Sequence, residues 1–190
     1  MDFAANGDVY QKISKSKKES TYFEEDAVWK ILLGSLSALN KLHQMKIFHR
    51  DIKSANIFLA DNNVALLGDL NVSKVAKQGL LYTQTGTPYY ASPEVWNDKP
   101  YDSKSDIWSL GCVMYEVLAL EPPFRANDMK GLWEKVNRGK FMELPERYTK
   151  GLKNIIKKMI IVDATKRPSC DDMLSTNLVQ SHATRLGVDI

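Results

Sequence analysis

The chain has 190 residues, 44% hydrophobic and 26% charged, a balance that supports one globular core; at this length folding buries roughly 70% of the extended chain's surface, without help from metals or disulfides. Lys and Arg total 26 against 23 Asp and Glu, and a net charge of +3 points neither to nucleic acid nor to an acidic membrane. Cys112 and Cys170 form neither a disulfide framework nor a zinc cluster, no apolar run reaches the ~20 residues of a membrane span, and the first residues carry no leader signal. The expectation is a reducing, cytoplasmic setting with no nucleic-acid and no membrane partner.

Gly7 to Lys18 sets Val9, Tyr10 and Ile13 among polar residues and predicts a short helix whose lysines form a solvated face. A long helix follows from about Glu24 to Met45, with Val28, Ile31, Leu32, Leu36, Leu39 and Leu42 at helical spacing. Glu24, Glu25 and Asp26 suit its positive end, and Thr21 with Glu24 fits a capping box. Ile57 to Ala60 and Val64 to Leu67 read as two short strands joined at Asp61-Asn62-Asn63. From Gly68 to Pro100 no period survives, and Gly79, Gly86, Pro88 and Pro93 punctuate what reads as one long loop. Loops of such length in compact domains are usually functional or disordered.

Asp106 to Leu120 is apolar nearly all round, the pattern of a central buried helix, with Pro122-Pro123 to stop it. Further helices are predicted at Met129 to Asn137, Thr149 to Ile161 and Asp171 to Thr176. No repeat and no linker divides the chain, so the expectation is one mainly α domain over 1–180 with a small β-hairpin, followed by a tail over 181–190.

Between the long helix and the hairpin stands His49-Arg50-Asp51-Ile52-Lys53-Ser54-Ala55-Asn56, and just past the hairpin Gly68-Asp69-Leu70-Asn71. Taken singly, each Asp or Lys here is most simply a solvated charge, and His49 a satisfied core histidine. The spacing His-Arg-Asp-x-Lys-x-x-Asn followed by a second Asp resembles the catalytic and magnesium loops of eukaryotic protein kinases. Gly86-Thr87-Pro88-Tyr89-Tyr90, Ala91-Ser92-Pro93-Glu94, Asp106-x-Trp108-Ser109-Leu110-Gly111 and Arg167-Pro168 follow in the family's order. Leu70 after the metal Asp, the Ser-Pro-Glu form and Gly-Thr-Pro-Tyr-Tyr resemble the NIMA-related branch of Ser/Thr kinases.

That resemblance implies the C-terminal lobe of a kinase that uses ATP and Mg2+ and acts on Ser and Thr hydroxyls of proteins. Asp51 is the expected base, suited to orient a hydroxyl and accept its proton. Lys53 is expected to offset charge on the transferring phosphoryl group, and Asn56 and Asp69 to supply the hard oxygen ligands magnesium requires. By the same resemblance the backbone at Asp2 and Ala4 meets adenine, Asp8 the ribose and Phe58 the lower face of the ring. Gly86 and Thr87 belong to the substrate loop, with Thr87 and Lys53 flanking the catalytic carboxylate. Glu94 and Arg167 are expected to form a buried ion pair, and Asp106 to brace the catalytic loop. Thr83 is the regulatory candidate, since a phosphate there would pair with Arg50 and Lys74.

Two departures matter. Asn71 stands where the family has glycine, and Asn tolerates positive φ better than other side chains, so the turn is retained with less freedom to flip. No Gly-x-Gly-x-x-Gly and no Val-Ala-x-Lys precedes the long helix, so the phosphate-covering loop and the phosphate-anchoring Lys of an N-terminal lobe are absent from the sequence, and the isolated chain is expected to be inactive. The missing lobe is the partner this implies. The alternative, a non-catalytic interaction module acting through the region near Met129 to Asn137, stays open, although the retained Asp51, Lys53, Asn56 and Asp69 speak against it.

Overall fold

The computed structural model describes residues 6–60, 64–68 and 88–190. Asp2, Ala4, Asp69, Lys74, Thr83, Gly86 and Thr87 lie outside these ranges. The fold is mainly helical, with one two-stranded sheet among the described residues.

Helix α1 (Val9–Lys18) starts where the Asp8 carboxylate accepts the Gln11 amide at 2.8 Å, and it buries Val9 and Ile13. Helix α2 (Glu25–Gln44) buries Val28, Ile31, Leu32, Leu36 and Leu39 completely, as their spacing requires. The capping box expected of Thr21 and Glu24 does not form. Glu24 is itself the extended N-cap and no side chain caps the helix. The reason is tertiary: Phe23 is buried, and its carbonyl accepts the Tyr148 hydroxyl at 2.9 Å, which holds this stretch out of the helix.

Strand β1 (Ile57–Leu59) pairs antiparallel with β2 (Ala65–Leu67), Ile57 opposite Leu67 and Leu59 opposite Ala65. The other edge of β1 takes Asn6 to Asp8, through an Asp8–Phe58 bridge and a Leu59 amide to Gly7 carbonyl bond of 2.9 Å. The hairpin rests on α2 at Gly34, where a Cβ would stand 2.9 Å from the Ala65 carbonyl oxygen and 3.0 Å from its nitrogen. Only a residue without a side chain lets the two backbones approach so closely.

The stretch read as an unbroken loop contains a one-turn helix, α3 (Pro93–Trp96), with Pro93 at its first position; four residues are too few to show a period. Helix α4 (Ser103–Ala119) begins three residues before the predicted start, because Asp102 and Ser105 form a reciprocal capping box. Every residue from Ser105 to Leu118 is buried, so α4 is the axis of the molecule, packed against α2 and against α6 (Lys150–Met159). It ends on Leu120 in the left-handed conformation, ahead of Pro122.

Helix α5 (Met129–Arg138) is capped by Asp128 and closed by Gly139 at φ 63°. Helix α7 (Cys170–Leu174) carries a capping box of Ser169 and Asp172. The last helix, α8 (Asn177–Leu186), was not predicted, and it takes in more than half of the segment 181–190 read as a tail. Its face onto the core is narrow, Val179 and Ala183 buried and Leu186 partly so, which leaves only a short apolar period to detect. It is fixed instead by His182 stacked on the buried Trp29, centroids 4.0 Å apart, and by Arg185 bound to both oxygens of Asp26 at 2.6 and 3.0 Å. Among the described residues no helix is long and apolar enough to cross a membrane.

Gly34→Val is expected to lower the unfolding free energy by about 1–3 kcal/mol in urea titration, because the added carbons meet backbone rather than a movable side chain. Unchanged stability would remove close approach as the reason for this glycine.

Candidate active site

The segment 49–56 leaves the end of α2 and is fastened from below by one side chain. Asp106, near the start of α4 and fully buried, accepts the amide of His49 on Oδ2 at 3.0 Å and the amide of Arg50 on Oδ1 at 3.1 Å. Oδ2 also accepts His43 Nε2 at 2.9 Å, and Oδ1 the Tyr101 hydroxyl at 2.5 Å. Four donors thus compensate a carboxylate that burial alone would destabilise by several kcal/mol. Burial, together with the Asp106 charge, pushes the Tyr101 phenol well above its ordinary range, so it remains a donor. Turning two successive amides onto one carboxylate puts Arg50 at φ 65°, a conformation costing a non-glycine residue roughly 1–2 kcal/mol.

Fixed this way, the segment brings three predicted residues together. Lys53 Nζ donates to Asp51 Oδ2 at 3.1 Å. The Asn56 side-chain nitrogen donates to the same oxygen at 3.1 Å and to the Asp51 carbonyl at 2.9 Å. With its nitrogen engaged, Asn56 has its amide oxygen to offer a hard cation. Asp51 is one-fifth exposed, its side chain at 22%, which leaves the carboxylate accessible yet held.

His49 is buried and its Nε2 donates to the Gly68 carbonyl at 3.0 Å, while the Gly68 amide donates to the Asn56 carbonyl at 2.9 Å. That bond assigns the Nε2–H tautomer. The residue preceding Asp69 in sequence is therefore tied on both sides to the Asp51 segment, while Asp69 itself, the second metal candidate, lies outside the described residues. The half-buried Phe58 ring lies over Gly68, leaving no room for a Cβ there. Asp8 is the bridge partner of Phe58 at the edge of β1, so two of the expected nucleotide contacts share one edge, although Asp8 Oδ1 is engaged in capping α1. Asp2 and Ala4 of that set, Lys74 and Thr83 of the regulatory set, and the substrate-loop residues Gly86 and Thr87 fall outside the described residues. Arg50 is within them. Among the described residues no group of three or more His, Cys, Asp or Glu could hold a metal ion.

Glu94 and Arg167 form a two-point pair, Nη1 to Oε1 at 2.6 Å and Nη2 to Oε2 at 2.7 Å. The remaining N–H groups of Arg167 reach the carbonyls of Ile161 at 2.6 Å, Lys104 at 2.8 Å and Val162 at 3.1 Å, so all five guanidinium donors are satisfied. Its plane also lies 4.9 Å from the Trp108 ring. Burial by itself would raise the Glu94 carboxyl, but the Arg167 guanidinium and the Ser105 hydroxyl outweigh it and hold it below the usual range.

Sequence reasoning missed a second polar link. The Tyr90 hydroxyl donates to Glu116 Oε2 at 2.6 Å and meets Ser54 Oγ at 2.9 Å, while Ser109 Oγ donates to the Tyr90 carbonyl at 2.8 Å. It joins the 49–56 segment, residues 89–90 and α4. Burial pushes the carboxyl of Glu116 up despite the bond from Tyr90, and it pushes the Tyr90 phenol up as well. The available signal was Glu116 itself, a lone carboxylate among the apolar residues that follow Asp106.

The model of the protein kinase domain family matches residues 1–179. The chain belongs to the protein kinase family. It is 39% identical over 183 residues to the probable serine/threonine-protein kinase nek2 of Dictyostelium discoideum, a match covering 94% of this chain and 44% of that protein. Human serine/threonine-protein kinase Nek2 is 38% identical over 94% of this chain and 42% of its own length. The G2-specific protein kinase nimA of Emericella nidulans is 35% identical over 95% of this chain and 30% of its own. The likeness is therefore to NIMA-related kinases, and the chain spans less than half the length of these relatives.

Two outcomes follow from this kinase lobe. Asp106→Ala should speed hydrogen exchange at the His49 and Arg50 amides while α5 stays protected; unaltered exchange would mean the carboxylate does not hold the segment. Glu94→Gln should cost about 3–5 kcal/mol in chemical denaturation by stranding Arg167. Because the folded Glu94 carboxyl lies below its ordinary value of 4.5, the pair's contribution is present above that pH and is lost as pH falls through the folded value. The gap between wild type and Glu94→Gln should accordingly narrow in acid, and a gap constant from neutral pH to pH 3 would contradict it.

Proposed function

We propose that this chain is the catalytic lobe of an ATP- and magnesium-dependent protein serine/threonine kinase, whose parent reaction moves the γ-phosphoryl group of ATP to a protein Ser or Thr hydroxyl. One observation carries the reading: Asp51 Oδ2 receives Lys53 and Asn56 together, on a segment clamped by Asp106 and tied to Gly68. In this reaction the acceptor oxygen bonds to phosphorus as the bond to the departing ADP oxygen breaks, and the hydroxyl proton passes to Asp51. Asp51 aims the hydroxyl, Lys53 places a positive charge beside the transferring group, and Asn56 and Asp69 are the residues that would supply oxygen ligands to magnesium. Magnesium, when bound, neutralises charge on the phosphates. Asp2, Ala4, Asp8 and Phe58 would hold the nucleoside, and the cytoplasm supplies the reducing setting that buried Cys112 and Cys170 suit.

Positioning and charge supply most of the catalysis in phosphoryl transfer, and the sequence has no Gly-x-Gly-x-x-Gly loop. The chain alone should therefore turn over negligibly. A second reading, a non-catalytic interaction module, is favoured by one feature: Trp133 on α5 is 40% exposed. A phosphotransfer assay on the chain alone, and on the chain joined to the N-terminal lobe of a NIMA-related kinase, separates the two. Expected are no turnover in the first, turnover in the second, and a drop of about 10²–10⁴-fold with Asp51→Asn. Robust activity of the chain alone would refute the account of the missing lobe, and an inactive joined protein with bound ATP would favour the module.

A further inference from the structure

His43 is one of the four donors on Asp106, and its ring is held from both sides. Only 11% of the side chain is exposed. Nε2 lies 2.9 Å from Asp106 Oδ2, and Nδ1 lies 3.8 Å from Sγ of Cys170, the first residue of α7. The Phe48 ring meets the imidazole edge-on, centroids 6.2 Å apart. A carboxylate only accepts, so the proton of this imidazole sits on Nε2, and Nδ1 keeps its lone pair in the neutral ring. A buried lone pair calls for a donor, and Cys170 has one to give. That residue is 1% exposed, and burial, reinforced by the Asp106 charge, pushes its thiol up to about 12, so the sulfur keeps its proton.

The contacts therefore run one way: Cys170 S–H to His43 Nδ1, then His43 Nε2–H to Asp106 Oδ2, which also takes the His49 amide while Oδ1 takes that of Arg50. A cysteine, a histidine and an aspartate in line are also the parts of an activated nucleophile. Here the sulfur is neither ionised nor accessible, so the line serves orientation and not attack. We infer that Cys170 is a positioning residue for the 49–56 segment: its thiol fixes the His43 ring, His43 fixes the Asp106 carboxylate, and the carboxylate sets the two amides that lead into Asp51. That the positioned group is a catalytic base rests on the kinase reading; the relay itself does not.

The test reads the ring nitrogens in the ¹⁵N-labelled chain, which holds three histidines. Long-range proton–nitrogen spectra at neutral pH should show His43 protonated at Nε2 and bare but hydrogen-bonded at Nδ1. Cys170→Ala should move the Nδ1 resonance to that of an unbonded ring nitrogen, with Nε2 still protonated and the His182 signals unmoved. A thiol is a weak donor, so amide exchange at His49 and Arg50 should quicken only roughly two- to tenfold, while α5 keeps its protection. Cys170→Ser returns a donor and should exchange more slowly at both amides than Cys170→Ala. A proton on Nδ1 in the wild type, an Nδ1 resonance indifferent to Cys170→Ala, or unaltered exchange at both amides would each overturn the inference. Should the Ala variant loosen the whole lobe, seen as faster exchange throughout α5, the wild-type spectrum decides: a bare, bonded Nδ1 supports the relay and a protonated one removes it. None of these measurements involves ATP. An inactive joined protein would take away the kinase reading and leave the relay standing, and an active one with a protonated Nδ1 would do the reverse.

Discussion

The Asp106 carboxylate is wholly buried, and the geometry of the candidate site descends from how the chain compensates that charge. A buried carboxylate is tolerated only when its lone pairs are filled. Here two of the four donors are the successive amides of His49 and Arg50, so satisfying the charge also fixes the backbone that leads into Asp51. The other two, from His43 on α2 and from Tyr101 just ahead of α4, prevent the carboxylate from turning. Lys53 and Asn56 then meet on one oxygen of Asp51 because the segment carrying them has a fixed origin.

Helix α4 is the common anchor for the other parts as well. Its Ser105 hydroxyl and Lys104 carbonyl help to enclose the Glu94–Arg167 pair, and its Glu116 and Ser109 hold Tyr90. Residues 90–94 are therefore attached to the same rigid rod as 49–56, by independent polar contacts. Such pairs contribute less to net stability than to specificity of arrangement, since desolvation offsets much of their attraction. The apolar remainder of α4 between Ile107 and Leu118, all of it buried, supplies the cohesion.

What could be read from the sequence follows from how local the signal is. Helices α2 and α4 were legible because burial on one face, or on all faces, repeats at a fixed spacing, and the hairpin because two short apolar runs flank Asp61-Asn62-Asn63. The run from His49 to Asn56 was legible because its members are contiguous. Helix α3 was hidden by its single turn, and α8 by a buried face of only Val179 and Ala183. The box expected at Thr21 and Glu24 was a correct local pattern overruled by the distant Tyr148 hydroxyl. The Ser54–Tyr90–Glu116 link brings together residues from three separate stretches, two of them neutral hydroxyls, and no spacing rule announces such a contact.

The left-handed backbone of Arg50 separates what the main chain wants from what the side chain does. Glycine would occupy that angle at no steric cost. Arginine here therefore carries a backbone cost that glycine would not, so the guanidinium, and not the bend, is what separates the two residues at this angle.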